Sequence, residues 1–236
     1  MAAAPPSYPP VVTLDDVARG EFLVRVYQHL LAALLAFLAF EALLINLGAA
    51  ESLYDLVAGS GATWLLLLGG FMVVSWLATS AAHDILNPSR QYAGLFGLAA
   101  AEAVIFAPFL HYVFEVQGDG SSTVLAAAVI TGLGFAGLSA VALVTRADLS
   151  FLRPILLWTG VCALVLIAGA LIFGLDLGVW FSLAMIGLAG GSILYQTQTI
   201  IRRYPEQAYV GAAVQLFASV MLLFWYVLRL LGQVRR

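Results

Sequence analysis

The amino-acid sequence predicts an all-α membrane protein with seven transmembrane helices. Apolar residues make up 63% of the 236-residue chain and charged residues only 10%. The mean hydropathy of +1.01 is too high for a soluble core of this size. A helix needs about 20 residues to cross about 30 Å of hydrocarbon, and seven stretches are long enough. They are Phe22–Leu47, Ala62–Ala82, Tyr92–Phe114, Val124–Val144, Ile155–Leu175, Val179–Ile201 and Tyr209–Leu231.

The residues before the first span are expected to form a cytoplasmic arm. Met1–Val12 are rich in Pro and Ala and contain neither a basic leader nor an apolar stretch, so we predict a disordered segment and no signal peptide. Thr13, followed by Asp16, is typical of a helix start with a capping side chain and an acid in the first turn. The chain then divides into the arm over residues 1–21, a transmembrane domain over residues 22–231 and a short basic tail over residues 232–236.

The positions of the arginines predict the orientation in the membrane, because short loops rich in Arg or Lys stay in the cytoplasm. With the N-terminus in the cytoplasm, seven arginines of the arm and of alternate loops fall on the cytoplasmic side: Arg19, Arg25, Arg90, Arg146, Arg153, Arg202 and Arg203. The other loops carry only acids. A seventh full span would place Arg235 and Arg236 outside, whereas a re-entrant last segment would return them to the cytoplasm. Of these two alternatives we favour the full span.

The chain contains no lysine, which indicates a GC-rich bacterial genome and hence the bacterial inner membrane. The absence of lysine also excludes a seven-helix retinal protein, since that class needs a lysine amine for its Schiff base. The single Cys162 excludes an internal disulfide.

Several motifs are better explained by helix packing than by chemistry. Gly132, Gly134 and Gly137 match a dinucleotide-binding spacing, but they lie within a span, where small residues let helices approach closely. Gly94 and Gly97 in the third span have the same packing interpretation. We find no catalytic constellation, metal-ligand spacing or cofactor motif, and therefore expect no enzyme, no metal site and no bound cofactor. The lipid bilayer is the expected partner, and the arginines sit at the membrane edge, where they give no sign of a nucleic-acid partner.

Two acids within the predicted spans are the candidates for a functional site. Glu102 stands near the middle of the third span, where a carboxylate costs roughly 2.5–3.5 kcal/mol on insertion scales, so we expect it to face the bundle interior or a watery cavity. The alternative is a protonated acid that only hydrogen-bonds a neighbouring helix. Glu41 is the weaker candidate, because it lies close enough to the outer interface for its side chain to reach water.

Pro108 extends the hypothesis for Glu102. A proline within a helix removes one amide hydrogen bond and frees the carbonyl four residues earlier, which here belongs to Val104. A free carbonyl and a carboxylate are two oxygens of the kind that calcium binds, or two steps of a proton path. The simpler interpretation is a helix kink without further function.

Two segments give the chain a resemblance to a known family. One is the turn Thr145-Arg146-Ala147-Asp148-Leu149-Ser150, and the other runs from Tyr195-Gln196-Thr197-Gln198 through Tyr209 to Leu223-Phe224-Trp225-Tyr226-Val227-Leu228-Arg229. With seven spans and this order, the chain resembles the Bax inhibitor (transmembrane Bax inhibitor motif) family. The resemblance covers about the second half of the chain, and it makes Arg146 and Asp148 candidate supporting residues.

The resemblance implies six helices around a central seventh and a calcium leak pathway gated by protons. In bacterial relatives, two aspartates in the last two helices form the gate, and such a pair shares a proton. On our alignment, Gln196 and Ser219 replace these aspartates. Because neither side chain ionises, we expect a neutral hydrogen bond between them and no pH gating through this pair.

The sequence therefore supports two functions of different classes. The first is a weakly conducting cation channel or leak, carrying calcium or protons past Glu102, with the last two spans as the gate. The second is a non-conducting membrane protein that regulates a partner, such as a membrane-anchored protease in stress control. The missing aspartate pair favours the second function, and the buried glutamate favours the first.

Overall fold

The computed structural model describes residues 8–116, 120–145 and 147–234, and this part of the chain forms eight α-helices and no β-strand. The helices are α1 (Asp16–Asn46), α2 (Ala49–Ala58), α3 (Gly61–Ala82), α4 (Pro88–His111), α5 (Gly120–Val144), α6 (Leu152–Phe173), α7 (Gly178–Arg203) and α8 (Tyr209–Val234). All except α2 are long and apolar enough to cross a membrane. The seven predicted spans are therefore confirmed.

The last helix is the most buried of the seven spans. In the most apolar stretch of α8, 72% of the residues are buried, and α4 follows with 61%. α8 packs against α1, α3, α4, α5 and α7. A complete ring of six helices around α8 stays a prediction.

The outer helices expose their apolar side chains. In the most apolar part of α6 only 11% of the residues are buried, and the Trp180 side chain of α7 is 85% exposed. Exposed apolar surface of this extent would promote aggregation in water, whereas it faces acyl chains in a bilayer. The exposure pattern thus agrees with a membrane protein.

The two ends of the bundle differ in charge. The N-terminal end carries residues 8–14 and the connections after α3, α5 and α7; the opposite end carries α2 and the connection between α6 and α7. At the N-terminal end, Arg25 lies 3.5 Å from Glu206, and Arg90 lies 2.8 Å from Asp84. The predicted cytoplasmic arginines that are described lie at this end, and the side of the membrane that it faces stays a prediction. Arg146, Arg235 and Arg236 fall outside the described residues.

A short helix in the N-terminal arm spans Val11–Thr13, so the expectation of disorder is wrong for Val11 and Val12. The helix is of the 3₁₀ type, and Val11 is fully buried. Its amide donates a hydrogen bond to the Tyr204 carbonyl at 2.8 Å. An apolar side chain thus attaches the arm to the connection between α7 and α8.

The predicted cap of the first helix is displaced by two residues. Asp15, and not Thr13, caps α1, because its carboxylate accepts a hydrogen bond from the Ala18 amide at 2.8 Å. The Thr13 hydroxyl instead donates to the Pro10 carbonyl, inside the 3₁₀ turn.

Helix α2 was not predicted. It begins after Gly48, whose φ of +70° favours glycine, and it has 10 residues, too few to cross the bilayer. Its Tyr54 ring stacks on Tyr112 at 6.2 Å and lies 5.3 Å from the His111 ring. α2 therefore packs across the end of α4 at the opposite end of the bundle.

Close helix contact depends on Gly94. A Cβ atom at this position would overlap the Ala78 carbonyl and lie 2.7 Å from the Ala82 amide nitrogen, so α4 touches the backbone of α3 here. In contrast, Cβ atoms at Gly97, Gly132 or Gly137 would meet no atom within 4 Å. The packing interpretation thus holds for Gly94 and not for those three glycines.

We predict that Gly94→Ala destabilises the protein by about 1–3 kcal/mol, the usual cost of overpacking. Thermal unfolding in detergent measures the effect. Gly97→Ala is the matched control, with the same change on the same helix and open space around it, and it should leave the transition in place. Equal shifts in the two variants would contradict the proposed close contact.

Candidate functional site

Glu102 lies inside the bundle, as predicted. It is 7% exposed, and it makes no hydrogen bond or ion pair with any described residue. Because residues four apart share a helix face, Glu102 faces the same direction as Phe106. The Phe106 ring contacts Phe37 of α1 and Phe224 of α8, so Glu102 points toward these two helices.

Glu41 is also buried, which corrects its expected position near interfacial water. It is only 4% exposed, and both of its carboxyl oxygens are buried without a hydrogen-bond partner in the described structure. The sequence distance to the helix end suggested access to water, but tertiary packing closes this region. Glu41 thus becomes a candidate equal to Glu102.

An aromatic layer separates the two carboxyl groups. Phe106 lies 5.3 Å from Phe37, 5.5 Å from Phe224 and 4.9 Å from Trp225, measured between ring centroids. Glu41 stands one turn beyond Phe37 on α1, and Glu102 stands one turn before Phe106 on the parallel α4. At 1.5 Å per residue the two acids are about 12 Å apart along the bundle axis, on either side of this layer.

The predicted hydrogen bond between Gln196 and Ser219 is present. The Ser219 hydroxyl donates to Oε1 of Gln196 at 2.9 Å, and Ser219 is 5% exposed. The contact joins α7 to α8 without any ionisable group. A role in gating stays a prediction.

Glu102 on α4 and Ser219 on α8 lie at similar depth but on different sides of α8. Both α4 and α8 run from the N-terminal end, and Phe106 stacks on Phe224. Glu102 precedes Phe106 by about 6 Å of helix rise and Ser219 precedes Phe224 by about 7.5 Å. Ser219 faces α7, whereas Phe224 faces α4, so the acid and the neutral pair are at one level without contact.

The pairing of Glu102 with the Val104 carbonyl is not supported. Pro108 is buried within α4, which continues to His111 and then into a π-helical segment over Tyr112–Val116. A helical side chain leans toward the N-terminus, whereas a helical carbonyl points toward the C-terminus. The carboxyl group of Glu102 and the oxygen of Val104 therefore point away from each other.

The turn after α5 is held by Gln198, which sequence reasoning named only as part of the family segment. Its Oε1 accepts from the Leu149 amide at 2.8 Å, and its Nε2 donates to the Ala147 carbonyl at 2.7 Å. The sequence feature that could have indicated this role is a second amide side chain, two residues after Gln196. The buried Gln198 thus fixes this turn to α7.

Asp148 organises the same turn from the outside. Its carboxylate accepts hydrogen bonds from the Ser150 hydroxyl at 2.6 Å and the Ser150 amide at 3.0 Å, and Arg202 lies 3.5 Å away. The Ser150 hydroxyl above all lowers the pKa of Asp148 below its ordinary value. A lowered pKa means that this contribution is present above the ordinary pKa and is lost as the pH falls through the lowered one. Arg146, the other supporting candidate, lies outside the described residues.

The chemistry available at the site is that of isolated carboxyl groups. No three His, Cys, Asp or Glu side chains cluster in the described ranges, so no ready-made metal centre is found there. Glu41 and Glu102 can each accept a proton or a cation, with backbone carbonyls or water as the remaining oxygen ligands. The arrangement suits brief cation contacts at two levels better than tight binding at one.

Comparison with known proteins finds one matching family model and several similar bacterial proteins. It matches the family model described as "Inhibitor of apoptosis-promoting Bax1" over residues 19–236. An uncharacterized protein of Neisseria meningitidis serogroup A is 26% identical over 223 residues, 93% of each chain. Another uncharacterized protein, from Pseudomonas aeruginosa, is 34% identical over 149 residues, 62% of this chain and 65% of that protein.

We predict that Gln198→Leu loosens the turn over residues 147–150, because it leaves the Leu149 amide without its partner. Hydrogen exchange should show the Leu149 amide exchanging about tenfold faster or more, as expected for loss of roughly 1.4 kcal/mol of local stability. Thr197→Val is the control, since the buried Thr197 hydroxyl has no partner in the described structure. Unchanged exchange in Gln198→Leu would contradict the assigned role.

Proposed function

This chain belongs to the Bax inhibitor family, and we propose that it is a cation leak pathway, for calcium or protons, that runs between α1, α4 and α8. The observation that carries the proposal is the pair of buried carboxyl groups, Glu41 and Glu102, placed about 12 Å apart along the bundle axis. Acids at such depth are rare and commonly mark ion pathways.

The aromatic layer would act as the barrier of this pathway. Phe106 contacts Phe37, Phe224 and Trp225 at a depth between the two acids. Apolar constrictions stop ion flow by excluding water. A cation would then leave one carboxyl group, cross the layer when the rings separate, and reach the other carboxyl group.

The contact between α7 and α8 would hold the bundle closed, and this contact would not respond to pH. The hydroxyl of Ser219 and the amide of Gln196 keep the two helices joined at 2.9 Å. Neither group changes charge near neutral pH. The leak would therefore depend on opening of the aromatic layer and not on titration of this pair.

A non-conducting regulator of a membrane partner is the second candidate. The neutral Gln196–Ser219 bond favours it, because it lacks both the charge that attracts a divalent ion and the proton that opens a gate. Purified protein in liposomes distinguishes the two functions. Calcium flux supports the leak, whereas silence at about pH 6 and about pH 8, with a membrane protein recovered by crosslinking in cells, supports the regulator.

We predict that Glu102→Gln lowers calcium flux into proteoliposomes about tenfold, as expected if the carboxylate stabilises the passing cation by roughly 1.4 kcal/mol. A calcium-sensitive dye inside the vesicles reports the rate. The control is Glu51→Gln, an exposed acid in the first turn of α2, which should leave the rate unchanged. An unchanged rate in Glu102→Gln would remove this residue from the pathway.

We predict that Phe106→Ala raises the calcium flux, because it opens the aromatic layer to water. Phe173→Ala on α6 is the control, since that ring is 76% exposed and far from the layer. A buried Phe→Ala change costs about 3–5 kcal/mol, so the folded fraction is measured by size-exclusion chromatography before reconstitution. Flux at or below that of the unmodified protein, from folded Phe106→Ala, would contradict the barrier.

We predict no pH step in flux due to the Gln196–Ser219 pair between about pH 6 and about pH 8, where neither side chain ionises. Flux is compared at both pH values for the unmodified chain and for Gln196→Ala. A reproducible step in the unmodified chain that disappears in Gln196→Ala would show that this pair does control the pathway.

A further inference from the structure

A cavity of about 400 Å³ opens at the end of the bundle opposite to the arm. It lies between the end of α4, the end of α8 and the connection between α6 and α7. Its volume is within the range of about 300–1,000 Å³ that is usual for small-molecule sites. None of the groups assigned above to the leak, apart from Trp225, lines it.

One side of the cavity is aromatic. The rings of Phe109 and Trp225 lie 4.7 Å apart between centroids, and the Tyr112 side chain continues this wall. Flat apolar walls of this kind bind flat or apolar parts of a ligand. This side of the cavity therefore determines the shape of the ligand, whereas the other side determines its charge.

The other side carries a guanidinium group that lacks hydrogen bonds. Arg229 is 27% exposed, and no described residue accepts a hydrogen bond from its five N–H donors. The nearest acid is Asp176, at 3.9 Å, which is too far for a hydrogen bond. Since Asp176 is itself 84% exposed, it is a weak, water-screened partner. The guanidinium also lies over the Phe181 ring, 6.0 Å from its centroid, a contact that leaves its N–H donors free for a ligand.

A second donor belongs to Gln233, which also lines the cavity. Oε1 of Gln233 accepts a hydrogen bond from the Ser182 hydroxyl at 3.1 Å, which fixes the amide plane. The Nε2 group of Gln233 then remains as a donor without a partner in the described structure. The polar side of the cavity thus offers donors from two residues, and its one acidic group among the lining residues, Asp176, is too far from Arg229 to accept a hydrogen bond.

From these contacts we propose that the cavity binds an organic anion. Its carboxylate or phosphate group contacts Arg229 and Gln233, and its flat or apolar part packs on Phe109 and Trp225. Arginine is well suited to this task, because its planar guanidinium binds carboxylate and phosphate through two parallel hydrogen bonds. Asp176 competes with the anion for the arginine and sets the affinity.

The anion has two sources, a soluble aromatic acid or the headgroup of an anionic phospholipid. Both present the same anionic group to Arg229. The lipid source fits this site because this end of α8 carries Trp225 and lies near the membrane interface. The experiment therefore has two arms. In one, calorimetry measures binding of 2-naphthoate, with neutral 2-naphthamide as its counterpart, to protein in phosphatidylcholine nanodiscs after subtraction of empty nanodiscs. In the other, native mass spectrometry compares retention of phosphatidylglycerol and phosphatidylcholine by the detergent-purified protein.

The variants separate this site from general charge effects. Arg229→Gln should weaken binding about tenfold or more, the usual effect of losing one charged hydrogen bond. Asp176→Asn should tighten binding, because it removes the competing carboxylate. Arg153→Gln makes the same charge change on an exposed arginine at the N-terminal end and should have no effect.

Binding of 2-naphthoate but not 2-naphthamide, lost in Arg229→Gln and stronger in Asp176→Asn, supports a soluble anion. Retention of phosphatidylglycerol over phosphatidylcholine with the same variant pattern supports a lipid headgroup. The proposal is overturned if neither anion is preferred over its counterpart, or if Arg229→Gln binds as well as the unmodified chain. Should Arg229→Gln fail to fold, Asp176→Asn and the comparison of acid with amide still decide it, since equal binding of the two compounds and no effect of Asp176→Asn would overturn the site.

Discussion

The cost of placing a carboxyl group at hydrocarbon depth governs this bundle. A charged side chain there is unfavourable by a few kcal/mol even on lenient scales, so the fold has to enclose it. Glu41 and Glu102 are buried on α1 and α4, which pack against each other and against α8, whereas large apolar side chains of α6 and α7 are exposed. The two most buried spans are α4, which carries Glu102, and α8, which packs against both α1 and α4.

Polar contacts in the bundle divide into two kinds. Neutral amides and hydroxyls pair with each other or with the backbone, as Ser219 does with Gln196 and as Gln198 does with the turn after α5. Such pairs hold helices together without responding to pH. The acids in the membrane have no partner among the described residues, and the Arg229 guanidinium has no hydrogen bond there, only Asp176 at 3.9 Å and the Phe181 ring at 6.0 Å. Partners for these groups would have stabilised the fold. Their lack of hydrogen-bond partners therefore makes them the first candidates for a function.

Much of the fold follows from sequence patterns, since seven long apolar stretches determine seven helices. The position of Glu102 and the Gln196–Ser219 bond were also predictable, one from depth and one from the family alignment. Helix α2 was missed because 10 residues are too few for a hydropathy signal. The burial of Glu41 was missed because distance along one helix says nothing about the helices packed beside it. Val11 was missed because a single apolar residue in a Pro-rich arm gives no periodic pattern.

The proposed pathway requires both acids to serve the same ions, one on each side of the aromatic layer. Calcium flux through Glu41→Gln, Glu102→Gln and the double variant distinguishes one pathway that uses both acids from two acids that act independently. If the acids act in series, each single change should lower flux to about the level of the double variant. A double variant that conducts as fast as the unmodified chain would contradict the pathway.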